Sequence, residues 1–300
     1  MTTWSPRHAN SLLASDGPSR ALHKFQASKT ENQFGIWRRE LIMIVFTIFE
    51  CPEAKEPGML PRIHRVGVWC GVGFLVMYLL GLWVLADFVP AHNPRASAEQ
   101  IAEIYRVHNA RIKLGMDFVM FAAALYLPWV VSWSAMIRRM EGPESFLSNC
   151  QLLGGLASSM FFVLPALVWQ VAAYRIDRAA SEIRMLNDVG WILTVTPVPP
   201  FLIQFVPFAA AILIQKASPG LLPRWLGYTS LWACVLYSPA VAAYFFKTGP
   251  LAWNGLLSFW IPLSVFVLWE SVIIGFGFRI TRRHADAIAS PPVHAAAVGT

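Results

Sequence analysis

The chain has 300 residues, of which 56% are hydrophobic and 14% charged, and it carries a net charge of +7. Soluble globular domains sit near ~45–50% and ~25%, so this composition, with a mean hydropathy of +0.50, excludes an ordinary soluble domain. The positive charge does not argue for nucleic acid, because the basic residues flank apolar runs instead of forming a stripe interleaved with aromatics.

Residues 1–58 show no hydrophobic period and no core. The run LIMIVFTIF (41–49) is too short to span a bilayer. It also lies too far in, and lacks the small-residue cleavage site, to be a signal peptide. In KEPGM (55–59) the Lys-Glu pair permits a ribosome-binding AAG GAG shortly before the codon of Met59. Two readings stand: translation begins at Met59 and the preceding residues are a wrongly assigned extension, or they are a disordered tail.

From Met59 onward six runs reach the roughly 20 apolar residues that a membrane-spanning helix needs: 66–90, 114–137, 150–174, 190–215, 225–246 and 253–278. Lipid offers no hydrogen bonds to the backbone, so each run is expected to be helical, and each is too continuously apolar for a barrel strand. Trp69, Trp83, Trp133, Trp191, Trp225 and Trp253 stand near span ends, as an interfacial belt requires. The expected fold is an all-α, polytopic membrane bundle of six transmembrane helices over 59–283, followed by a flexible tail, 284–300.

Two connections are long enough to fold. In 97–113, Ile101, Ile104, Tyr105, His108 and Ile112 recur at helical spacing, and Ser97 with Gln100 makes a capping box. This predicts an amphipathic helix on the membrane surface. The second connection, 175–188, is mixed in charge and expected to be helical. With both termini on one side, nine Lys and Arg residues lie on that side and eight on the other. The compact clusters Arg138-Arg139 and Arg279/Arg282/Arg283 favour cytoplasmic termini.

The run LLPRWLGY (221–228) resembles a signature of uncharacterised bacterial six-span membrane families, in which a Leu-Pro-Arg-Trp-Leu-Gly segment opens the penultimate pair of helices. LNDVGW (186–191), PPFLIQ (199–204) and FKTGPLAWNGLLSFWIP (246–262) are similar to a narrower group of hypothetical proteins. The resemblance covers about residues 60–280. It implies a six-helix inner-membrane protein and supplies no catalytic residues.

The fourth span is built to break. Pro197, Pro199, Pro200 and Pro207 interrupt it, and the carbonyls they free must face protein or a cavity. Interrupted helices point to ligand sites in transporters, which makes Thr194, Thr196 and Gln204 candidates. Pro128, Pro165, Pro239 and Pro262 read as single kinks. LYLPWV (125–130) and LYSPAV (236–241) share four of six residues, a weak hint of an inverted three-plus-three repeat. Gly67-xxx-Gly71, Gly154-xxx-Ser158 and Gly155-xxx-Ser159 are small-residue packing patterns.

Ionisable groups at membrane depth are costly and commonly functional. Glu270 is the clearest, about 13 Å from the positive end at Arg279 if the run is helical. The alternative is a protonated acid tying two helices together. Asp117 lies one turn inside its helix, within reach of Lys113, and Asp188 is interfacial, as is Asp87; both read more simply as local caps or pairs. The four cysteines have no metal spacing, and Cys70 and Cys234 read as small hydrophobes. All seven histidines fall outside the spans, which removes the axial ligands of a membrane haem. No metal site, cofactor, ATP motor or recognisable hydrolase motif is indicated.

The sequence therefore points to a protein that binds or moves a small apolar or amphipathic molecule or lipid. The broken fourth span, Glu270 and the 97–113 helix would form the site, with Glu270, Gln204, Thr194, Thr196, Asp117 and Asp188 as candidates. A membrane-embedded enzyme acting on a lipid or isoprenoid, with Glu270 or Asp117 supplying a proton, is the first alternative. A partner or scaffold subunit is the second. The partners this implies are membrane lipids, a small apolar ligand, and a second copy or another membrane protein, with no nucleic acid.

Overall fold

A computed structural model describes residues 60–289 apart from 144 and 216–220, with side chains from His64 to Arg282. The expectations for 1–58, including the start at Met59, lie outside the described residues. The fold is an all-α polytopic membrane bundle, with six helical segments long and apolar enough to cross a membrane.

The first span is α1 (Leu60–Leu79), which widens into a π-helix over Leu80–Leu85. The π turn sits where Gly81 and Gly115 meet: a Cβ added at Gly81 would stand 2.6 Å from the Gly115 carbonyl oxygen. Helix α2 (Ala98–Val107) follows a loop, and α3 (Asn109–Glu141) is the second span. The third is α4 (Phe146–Tyr174). The fourth consists of α5 (Ala180–Val195) and α6 (Pro199–Ile214), separated by a break. The LLPRWLGY run opens α7 (Arg224–Tyr237), which tightens into a 3-10 segment, Ser238–Phe245, at Pro239. A π-helical Leu256–Trp260 leads into α8 (Ile261–Ala289). Helix α8 thus continues through Ala289, and 290–300 lie outside the described residues.

The spans pack as a ring in chain order: α1 on α3, α3 on α4, α4 on α6, α6 on α7, α7 on α8 and α8 back on α1. Helix α3 also reaches α6 across the ring. Small residues set the closest approaches. Gly155 faces Val130 of α3, while a Cβ at Gly154 would lie 2.8 Å from the backbone of Ile203 and Gln204 in α6. Pro207 has no N–H to offer the Ile203 carbonyl, so α4 approaches α6 where its ladder is already interrupted.

Three sequence expectations change. The 97–113 segment is not one surface helix. Its capping box forms, with Ser97 Oγ accepting from Gln100 N at 3.2 Å and Gln100 Oε1 accepting from Ser97 N at 2.9 Å. The helix ends at His108, however, and Ile112 belongs to α3. Ile101, Ala102 and Tyr105 are buried, and α2 packs on α5, so much of its apolar face is used by protein. The 175–188 connection is helical only from Ala180, where α5 starts and runs into the span. Finally, Trp69, Trp83 and Trp225 are exposed as a belt requires, but Trp133, Trp191 and Trp253 are buried. Distance from a span end says nothing about which way a side chain faces.

Candidate functional site

Pro197 leaves the Leu193 carbonyl without a helical donor, and Pro199 does the same to Val195. The chain responds by turning: Val198 N donates to Thr196 O at 2.8 Å, and the ladder restarts with Phe201 N to Val198 O at 2.9 Å. Pro199 and Pro200 fall in the first turn of α6, where a missing N–H costs little.

The break forms one wall of a cavity of about 100 Å³. Thr194, Val195, Pro197 and Val198 line it from the fourth span, opposite Phe161 and Phe162 of α4, Tyr237 and Ala240 of the fifth span, and Ser258 and Phe266 of the sixth. Its two aliphatic hydroxyls each donate to backbone. Thr194 Oγ1 donates to Gly190 O at 2.9 Å, and Ser258 Oγ to Leu251 O at 2.9 Å. Seven of the fifteen lining residues are aromatic, so the cavity is in effect an aromatic slot.

Behind Tyr237, at the centre of the ring, lies a polar cluster from four spans. Trp129 Nε1 of α3 donates to Glu270 Oε2 of α8 at 2.9 Å. Tyr126 OH, one turn earlier on α3, donates to Gln204 Oε1 of α6 at 2.8 Å. Both Glu270 and Gln204 are 0% exposed. The hydroxyls of Tyr126 and Tyr237 lie within electrostatic reach of Glu270. Three polar atoms of this cluster are buried without a hydrogen-bond partner: Glu270 Oε1, Gln204 Nε2 and Tyr237 OH. Buried polar groups are nearly always paired, so an orphan of this kind asks for an explanation.

The structure therefore brings together Gln204 and Glu270, and places Thr194 in the adjoining cavity. Glu270 and Gln204 do not line that cavity; the Tyr237 ring does. Thr196 is half-buried, with its hydroxyl bonded to Ile192 O at 2.8 Å. Asp117 is exposed and accepts from Gln170 Nε2 of α4 at 2.6 Å, rather than pairing with Lys113 one turn back. Asp188 belongs to a separate cluster midway along α5, and no α2 residue lines the cavity.

Tyr126, Trp129 and Tyr237 were not singled out as site residues from sequence. A signal was present: Tyr126 and Tyr237 are the tyrosines of the echoing LYLPWV and LYSPAV runs. The two echoes differ in local structure, since Pro128 sits inside continuous α3 and Pro239 opens a 3-10 segment. They nevertheless deliver two phenols to one carboxyl group.

A second cluster was also missed. His92, in the loop after the first span, is buried beside Phe88 and Trp191. Its Nδ1 lies 2.8 Å from Asn187 Oδ1, which also accepts from Tyr105 OH at 3.3 Å. The Asn187 amide nitrogen donates to Asp188 Oδ1 at 3.3 Å. With Asn187 Oδ1 thus fixed as an acceptor, His92 Nδ1 is the donor. Burial pushes the His92 pKa below its usual range, against the opposing pull of Asn187 and Asp87.

No protein-family model, curated protein or solved structure matches the chain. Fold and site together define a class, a multi-pass membrane protein with six spanning helices around a buried polar centre.

Proposed function

We propose that the protein binds, and through binding moves, a small apolar or amphipathic molecule in the aromatic cavity at the break of its fourth span. One observation carries this reading: the break in the helix forms a wall of that cavity, where Pro197 stands with Thr194, Val195 and Val198. An interruption without a role would cost hydrogen bonds in lipid for no return. The volume limits the guest. An engineered cavity of about 150 Å³ holds a benzene ring, so about 100 Å³ encloses at most one ring or the end of a chain, with the remainder outside. The groups gathered around Glu270 are an indole, two phenols and, through Tyr126, an amide, which suits recognition better than proton-transfer chemistry on a lipid.

The same proposal places the protein in a bacterial inner membrane, as the resemblance to LPRWLG-containing six-span proteins implies, with cytoplasmic termini, as the clusters Arg138-Arg139 and Arg279/Arg282/Arg283 favour. Support comes from three of the eight basic residues on the opposite side. Arg111, Arg106 and Arg178 donate to Val84 O, Ile176 O and Val171 O at 3.0, 3.2 and 3.0 Å. These carbonyls belong to helix ends and the turn beyond α4, where basic side chains have a capping role in either orientation.

The test is equilibrium binding of radiolabelled naphthalene to the purified chain in dodecylmaltoside. Saturable binding is expected, weakened at least about tenfold by Ala240→Leu, which fills the cavity. Equal, unsaturable uptake by both proteins would refute the reading.

A further inference from the structure

The cavity and the cluster behind it share one wall, the Tyr237 ring, and differ sharply in chemistry. On the cavity side stand aromatic rings, whose faces carry negative electrostatic potential. On the other side stands Glu270, fully buried. One of its oxygens accepts from a neutral indole and the other has no hydrogen-bond partner. Among the described residues no cationic side chain acts on it. The titratable groups that face it are the phenols of Tyr126 on α3 and Tyr237 on α7. Helix α1, which also packs on α8, acts on it with none. Phenols of ordinary pKa, about 10, are neutral near pH 7 and offer a carboxylate no countercharge.

An unpaired carboxylate in such a place is strongly disfavoured. Two arrangements avoid that cost. The carboxyl holds a proton, or a cation enters from outside to pair with it. The aromatic slot is suited to the second, because rings that cannot hydrogen-bond a guest still attract a cation over their faces, more so when water is excluded. A primary ammonium needs an acceptor for each of its three N–H groups, and a lining that is chiefly aromatic and aliphatic offers few, at most the hydroxyl oxygens of Tyr78, Thr194, Tyr237 and Ser258. A quaternary or otherwise fully substituted cation needs none.

We propose that the guest is a lipophilic organic monocation, of the quaternary-ammonium kind, and that it exchanges with the proton of Glu270. This rests on the binding reading above and names the chemistry of that site. In the exchange, the Glu270 O–H bond breaks and its proton leaves to solvent. The electron pair stays on the carboxylate, which then faces the cation through Tyr237. One positive charge enters as one leaves, so the net charge buried in the bundle is unchanged.

The probes are benzyltrimethylammonium and its uncharged isostere neopentylbenzene, in which carbon replaces nitrogen. Calorimetric titration of the whole purified chain, in two buffers of different ionisation enthalpy, counts protons released. Binding of the ammonium is expected to release close to one proton, and to tighten about tenfold per pH unit while Glu270 is protonated. Neopentylbenzene is expected to bind without proton release at every pH. Glu270→Gln should abolish the proton release and the pH dependence, with Asp117→Asn as an unaffected control. Equal binding of both probes without proton release would overturn the cation inference and leave the apolar-binding reading intact. Failure of both probes to bind would overturn the two together. The proton count is read on the unsubstituted protein, so a poorly folded Glu270→Gln variant does not shield the proposal.

Discussion

Trp129 Nε1 donates to Glu270 Oε2 at 2.9 Å, joining residues 141 positions apart across the centre of the bundle. The bond depends on a small residue in a third helix, because Gly71 of α1 lies against the Trp129 ring: a Cβ there would come within 2.7 Å of it. A packing pattern, an aromatic residue and a buried acid thus form one unit.

Removing the donor tests that unit. Trp129→Phe leaves both Glu270 oxygens without partners and should lower stability by about 1–3 kcal/mol, read from denaturant unfolding in detergent. In a Glu270→Leu background the same change should cost clearly less, because nothing is left unpaired. Additive effects in the double-mutant cycle would show that the two side chains do not act on one another.

Gly154 offers a second test. Gly154→Ala drives a Cβ against the Ile203–Gln204 backbone and should cost about 1–3 kcal/mol by forcing α4 and α6 apart. Gly275→Ala, with nothing within 4 Å of the added atom, should leave thermal stability unchanged or slightly higher. A reversed ranking would contradict the packing of the third span on the fourth.

The prolines of the fourth span should not be equivalent. Pro200→Ala, in the first turn of α6, is expected to change naphthalene binding little. Pro197→Ala with Pro199→Ala restores two N–H donors, lets α5 and α6 join into one helix, and removes a cavity wall. That variant should be more stable yet bind at least about tenfold more weakly. Wild-type binding by the double variant would mean that the break does not shape the site.

His92 gives a pH dependence. Its folded pKa is lowered from 6.5, mainly by burial, so protonation favours the unfolded chain. Stability should be full above pH 6.5 and decline as pH falls from there through the folded pKa. A melting temperature followed from pH 8 to 5 should show this decline, and His92→Gln should flatten it. The same decline in both proteins would assign the effect to other groups.

Five crossings separate the loop before α2 from the end of α8. A reporter inserted near Ala98 should therefore read external and one fused after Ala289 cytoplasmic. Agreement between the two markers would rule out six spans.

Much of this was legible in the sequence because it is local. Six apolar runs become helices since lipid leaves the backbone no other partner, and Pro197 and Pro199 break the fourth wherever it packs. Ser97 and Gln100 form their capping box within four residues, and the distance of Glu270 from Arg279 along α8 follows from helical rise alone. What the sequence left open was direction around each helix axis. Trp133 and Trp191 resemble Trp69 and Trp225 in position along a span, yet two are buried and two exposed. Asp117 and Glu270 are both acids in apolar runs, and only the ring of six helices turns one outward to Gln170 and the other inward to Trp129. The meeting of Tyr126, Gln204, Tyr237 and Glu270 was decided by how four helices rotate against each other, through close approaches such as Gly154 on Ile203, which no single segment specifies.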